Sequence, residues 1–226
     1  MDSLEDRRKH NMVVFLKSRG KRYHRVCFDN FEITDAKQQE VVNKLKAFGE
    51  NIIEETEAGN GVVLYGPSGT GKDHLITALA RNVILNHGGE PEPSQFNISY
   101  RDREPPETEK ELFVRWKNGM SVFADMRDGI SRNESEDDFL YPLIKADILI
   151  LSDPLPPEGE LTRYQRETLY RLLDARYSEC RPTWCTLNVA SGGEAGERMG
   201  VPCYDRLRHG ALCLYCNWPS YRKAKS

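Results

Sequence analysis

Seven residues, Gly66-Pro67-Ser68-Gly69-Thr70-Gly71-Lys72, fit the pattern G-x-x-x-x-G-K. Glycines at this spacing let successive backbone N–H groups turn toward one centre and form a nest for an anion. Lys72 adds a compact cation suited to the outer phosphates of a nucleotide. An apolar run, Val62–Tyr65, precedes the loop and a helical pattern follows it. This is the context a phosphate-binding loop requires, with the positive end of a helix dipole aimed at the phosphates. Gly66, Pro67, Ser68, Gly69, Thr70, Gly71, Lys72 and Asp73 are therefore the expected nucleotide contacts, with ATP and Mg²⁺ as the ligands. Asp73 stands where such loops carry a hydroxyl on the metal. A second apolar run, Ile148–Leu151, ends in Ser152-Asp153, where two acidic residues are usual. Asp73 and Ser152 are the expected metal ligands: the carboxylate and the hydroxyl have exchanged places. Mg²⁺ accepts either oxygen, but Asp73 repels the phosphates until a cation neutralises it. Asp153 is the expected base that orients the attacking water.

These groups need a sheet to hold them. Five runs have strand character: Val62–Tyr65, Leu112–Trp116, Ile148–Leu151, Thr183–Leu187 and Ala211–Cys216. Ile148–Leu151 is apolar throughout, the mark of a strand covered on both faces. Helical spacing from Asp35, capped by Thr34 or Asp35, brings Val41, Val42, Leu45, Phe48, Ile52 and Ile53 to one side. A helix from Lys72 presents Leu75, Ile76, Leu79, Val83 and Ile84 and stops at His87-Gly88-Gly89. Further helices are expected near 121–130, 135–144 and 162–177, the last with Leu169, Leu172 and Leu173 inward. Alternating strands and helices predict a three-layer αβα P-loop NTPase sandwich on a mainly parallel five-stranded sheet. Residues 88–110, rich in Pro and charge, read as an inserted loop with a small strand at Phe96–Tyr100. Residues 1–25 carry eight Arg and Lys, and residues 1–27 read as a polar basic arm, either solvated or a docking or nucleic-acid-binding segment, before a domain spanning 28–226.

The chain has 226 residues with 38% hydrophobic and 30% charged side chains, which excludes collagen, coiled-coil rods and wholesale disorder. No apolar stretch approaches the length of a membrane span. With 32 basic and 35 acidic side chains the net charge is −3, so any nucleic-acid contact must be local. Six cysteines and no secretory h-region point to a reduced, cytoplasmic setting. Cys213 and Cys216 have CxxC spacing but no second ligand pair, and read as strand residues.

Five segments carry a resemblance: GPSGTGKDHL (66–75), ADILILSD (146–153), RPTWCTLN (181–188), DRLRHGA (205–211) and NWPSYRK (217–223). In this order the chain resembles the DnaC/IstB-type AAA+ ATPases, over about Phe28 to Lys223. The resemblance implies an ATP-binding AAA+ protein that loads a replicative helicase, or alternatively an IstB-like helper of a transposase. It implies Asn188 as the polar sensor of the γ-phosphate or water. Arg206 matches an arginine finger that reaches a neighbouring subunit, and so implies self-association. Arg222 matches a second sensor that contacts nucleotide. Single-stranded DNA is implied as a partner, with Arg163 and Tyr164 placed to grip it. The exchanged groups at Asp73 and Ser152 leave two expectations: a weak ATPase, or a nucleotide-binding scaffold that does not hydrolyse.

Overall fold

The computed structural model describes residues 3–89, 111–132 and 135–222. Five strands, β1 (Val62–Tyr65), β2 (Val114–Asn118), β3 (Ile148–Ser152), β4 (Thr183–Leu187) and β5 (Leu212–Tyr215), form one sheet in the order β2-β3-β4-β1-β5. All four pairings are parallel. Strand residues alternate between faces, as the two-residue period demands. Val62, Leu64, Ile148, Ile150 and Trp184 enter one core; Val63, Leu149, Leu151, Cys185 and Leu187 enter the other.

The first core is covered by α1 (Leu4–Arg19), α2 (Ala36–Glu50), α3 (Ile52–Glu57) and α4 (Lys72–His87). The second is covered by α5 (Gly119–Ser131), α6 (Glu136–Ile144), α7 (Arg163–Ser178), α8 (Gly192–Met199) and α9 (Val201–Arg208). The result is the expected α/β three-layer sandwich. Asp35 caps α2 and its side chain is answered by Gln38, so the start of that helix is fixed by a reciprocal pair of hydrogen bonds.

The expectation of a solvated arm at residues 1–27 is corrected. Residues 4–19 are helix α1, started by a Ser3–Asp6 capping box. Asn11, Phe15 and Arg19 recur every four residues and are buried against the sheet and α4. Asn11 donates to the Val114 carbonyl and ties α1 to β2. Two of those three residues are polar, so no apolar stripe marked the helix. The strand expected at Leu112–Trp116 pairs from Val114 to Asn118 instead, after an isolated bridge between Gly88 and Leu112. Helices α8 and α9 fill a stretch left unassigned. Glycines dilute the helical signal there, and Ser191 at the cap and Pro202 in the first turn mark the two starts. From residue 90 to 110 the expected insert, including the strand at Phe96–Tyr100, lies outside the described residues. Among the described residues no helix is long and apolar enough to cross a membrane.

Candidate nucleotide site

The loop leaves β1 at the carboxyl end of the sheet and enters α4 through Gly71. Gly66, Gly69 and Gly71 have φ of 140°, 85° and 86°, backbone that only glycine adopts freely. A Cβ on Gly66 would lie 2.3 Å from the Cys216 carbonyl oxygen, and one on Gly71 would lie 2.7 Å from the Phe31 ring. The loop is thus held by the fold on both flanks. The indole of Trp218 donates to the Thr70 carbonyl at 2.7 Å, and the backbone N–H of Tyr221 donates to the Gly69 carbonyl at 2.9 Å. Arg222 reaches Ser68 Oγ at 3.2 Å. The C-terminal segment therefore clamps the loop.

Lys72 is 5% exposed. Its ammonium donates to the Gly66 and Pro67 carbonyls at 2.8 and 2.7 Å, and burial lowers its pKa. The loop folds around the lysine and draws the cation inward, so it is a buried residue lining the cleft. The cleft has a volume of about 380 Å³. Lys72, Asp73, Asp153, Asn188 and Arg222 line it together with Tyr23, Val26, Phe31 and Tyr221.

Asp73 and Ser152, far apart in sequence, meet: Ser152 Oγ donates to Asp73 Oδ1 at 2.6 Å. Thr186 Oγ1 joins them, at 3.2 Å from the same oxygen. The register that places Ser152 beside Thr186 on adjacent strands makes this cluster. Thr186 escaped notice in the sequence. Its only signal is a hydroxyl next to the end of a fully buried strand, two residues before Asn188. One carboxylate and two hydroxyls are hard oxygen donors, a set that fits Mg²⁺ beside phosphates.

Asp153 follows β3 with φ of 53°, left-handed backbone that is costly outside glycine. The Asn188 side-chain amide donates to its Oδ2 at 2.6 Å. Burial first, then the nearby Asp73, raises the Asp153 pKa, opposed by the Asn188 hydrogen bond and Lys72. The left-handed backbone carries the Asp153 carboxyl, and Asn188 holds it by its amide; both line the cleft.

The remaining candidates stand elsewhere. Arg206 does not line the cleft; it pairs with Asp174 at 2.5 Å, donates to the Tyr170 hydroxyl and lies over that ring. Arg163 pairs with Glu167, and the Tyr164 hydroxyl donates to Glu136. Both lie at the start of α7, outside the cleft. All six cysteines are free, and burial pushes the Cys216 thiol up to about 12, well away from a reactive thiolate.

An all-parallel sheet with strand order 2-3-4-1-5 and a glycine loop after the first strand give the chain the AAA+ P-loop fold. No family model and no curated protein sequence matches the chain. Solved structures do. The DnaC helicase loader superposes with a TM-score of 0.68 at 17% identity, covering 87% of this chain and 99% of that one. DnaI superposes at 0.63 and 15%, covering 94% and 100%. The replication initiator DnaA bound to AMPPCP and single-stranded DNA superposes at 0.61 and 15%, covering 87% of this chain and 50% of that one. The fold is the DnaC-like AAA+ fold.

Proposed function

We propose that the chain is an ATP-binding AAA+ factor of DNA replication that acts on a replicative helicase in the manner of a loader. The observation that carries the reading is the cleft: a glycine nest, a buried lysine and the paired oxygens of Asp73 and Ser152 converge at the carboxyl edge of a parallel sheet. That edge is where open α/β sheets take ligands. The near full-length likeness to a helicase loader supports the helicase over a transposase as the partner class. The nucleotide analogue in DnaA supports a nucleotide in the same fold.

In this reading Gly66–Lys72 hold the phosphates, and Asp73, Ser152 and Thr186 would hold a Mg²⁺, which when bound would neutralise phosphate charge. Arg222, beside Ser68, faces the phosphates from the C-terminal clamp. Tyr23, Val26 and Phe31 offer a flat apolar wall to the base. Asp153 and Asn188 orient water, and the raised Asp153 pKa suits a proton acceptor. Turnover is weak, because Asp153 stands as the single acidic residue at that strand end. Arg206 lies away from its own cleft, as a residue that serves a neighbouring subunit must. Single-stranded DNA is the second ligand, and Arg163 and Tyr164 reach it only by exchanging their acidic partners. The setting is cytoplasmic, where free cysteines persist.

The test is calorimetric titration of ATP into the parent and Lys72→Ala. Losing one charged hydrogen-bonding cation should weaken binding by about 3 kcal/mol, roughly a hundredfold, with the circular dichroism unchanged. Equal affinities would remove the phosphate-loop reading. Sizing with ATP, ADP and single-stranded DNA, with and without a replicative helicase, then tests assembly and partner.

A further inference from the structure

Arg19, the last residue of α1, ends inside the site. Its side chain is 2% exposed. Nε donates to Thr77 Oγ1 at 3.0 Å and Nη2 donates to the Asp73 main-chain carbonyl at 3.2 Å. Nη2 also lies 3.7 Å from Asp73 Oδ1. The guanidinium sits 3.7 Å from the centre of the Tyr23 ring and 4.5 Å from that of Trp116. Asp73 lines the cleft and Arg19 does not, so the cation stands behind the carboxylate, on the side away from the cleft.

Two oddities meet here. A carboxylate next to a phosphate-binding lysine opposes the ligand, and a buried guanidinium is costly without a partner. Each answers the other. The hydroxyls of Ser152 and Thr186 hold Asp73 Oδ1 from one side while Arg19 faces it from another. Tyr23 and Trp116 restrict the guanidinium, so the pair is set before any ligand arrives. Burial weakens the hold of Arg19 on its proton and Asp73 strengthens it, which agrees with the geometry.

We propose that Arg19 is the internal counter-ion of Asp73, a positioning residue that lets this loop carry a carboxylate and makes α1 a working part of the nucleotide site. The proposal rests on the nucleotide-binding reading. Its consequence is a muted metal dependence: Arg19 supplies part of the neutralisation that otherwise falls to Mg²⁺ alone.

The experiment titrates ADP into the full chain with saturating Mg²⁺ and again in chelator, for the parent, Arg19→Met, Asp73→Ser and the double variant. Arg19→Met should lose about tenfold or more in metal-free affinity beyond any loss with Mg²⁺. The double variant should recover the metal-free affinity, because the uncompensated carboxylate is gone. Arg19→Lys, which keeps the charge, should stay near the parent; if Arg19→Met does not fold, Arg19→Gln takes its place, with Asp73→Asn as its partner in the cycle. Ligand-free melting of the same four proteins forms a second cycle, in which the two substitutions should be non-additive. An unchanged metal dependence together with additive melting overturns the assignment. If the parent binds no ADP at all, the phosphate-loop reading fails separately. The melting cycle then decides the ion pair, coupling supporting it and additivity overturning it.

Discussion

Two buried arginines, one on each face of the sheet, solve the same problem differently. Arg176 of α7 is fully buried, and among the described residues it makes no hydrogen bond to a carboxylate. It donates to the carbonyls of Leu143, Ile144, Ala146, Asp147 and Pro182 and to Thr183 Oγ1. These oxygens belong to the end of α6, the entry to β3 and the entry to β4. Burial, then repulsion from Arg181, lowers its pKa to about 9, which still leaves it charged at neutral pH. Arg19 donates to one hydroxyl and one backbone carbonyl, lies against two aromatic faces, and has a side-chain carboxylate oxygen of the cleft 3.7 Å away. A cation satisfied by backbone carbonyls alone binds chain segments together whatever the ligand state. A cation set beside a cleft carboxylate is coupled to the charge of the site. In the proposed reading, Arg176 serves the scaffold and Arg19 serves the nucleotide site.

The comparison is broken most directly by removing each arginine. Arg176→Met strands five carbonyls in the core and should cost about 3–5 kcal/mol, or folding altogether. Arg19→Met leaves fewer acceptors and should cost about 2 kcal/mol. Chemical denaturation measures both, and equal losses would erase the distinction. A third arginine sharpens it. Arg206 lies on the face that carries Arg176, but its side chain is 25% exposed and its ion pair borders solvent. Arg206→Ala should cost little stability and leave nucleotide affinity at the parent level. Phosphate release should nonetheless fall, on the order of a hundredfold or more, if the side chain completes a neighbour's site. Mixing this variant with Lys72→Ala subunits should restore part of it, since some interfaces then pair an intact loop with an intact finger. No recovery in a mixture shown to co-assemble would assign Arg206 to structure alone.

The smallest expected effect concerns Asp153. Its folded pKa is raised, so the folded state holds this proton at pH values where the unfolded state has released it. Stability from this group is full below the unfolded value near 3.8 and falls as pH rises through the folded value. Asp153→Asn should therefore gain a little stability at neutral pH and none in acid. A melting profile across pH reads this. A gain that persisted in acid would point to relief of backbone strain at the left-handed position, where asparagine is favoured.

The phosphate loop, its strand and its helix were legible because glycine spacing and apolar periodicity are local. So were the apolar run of β3 and the leucines of α7. Helix α1 was not, because its inward residues, Asn11, Phe15 and Arg19, have no common hydropathy; their burial depends on what β2 and α4 offer them. Thr186 was invisible for a related reason. A hydroxyl at a strand end acquires meaning only when the neighbouring strand's register sets Ser152 beside it.

Residue type and spacing alone determined the P-loop, the three-layer class and the exchange of carboxylate and hydroxyl between positions 73 and 152. Short-range geometry suffices for these, since a turn, a cap or a strand period involves neighbours in the chain. Tertiary structure alone decided that Asp73 and Ser152 share a hydrogen bond, that Lys72 is buried, that Arg206 turns away from its own cleft and that Arg19 stands behind Asp73. Those contacts join residues from five to 79 positions apart, or, for Arg206, set two parts of the molecule apart. Such pairings follow from strand order and from which helix covers which face, and no local pattern encodes either.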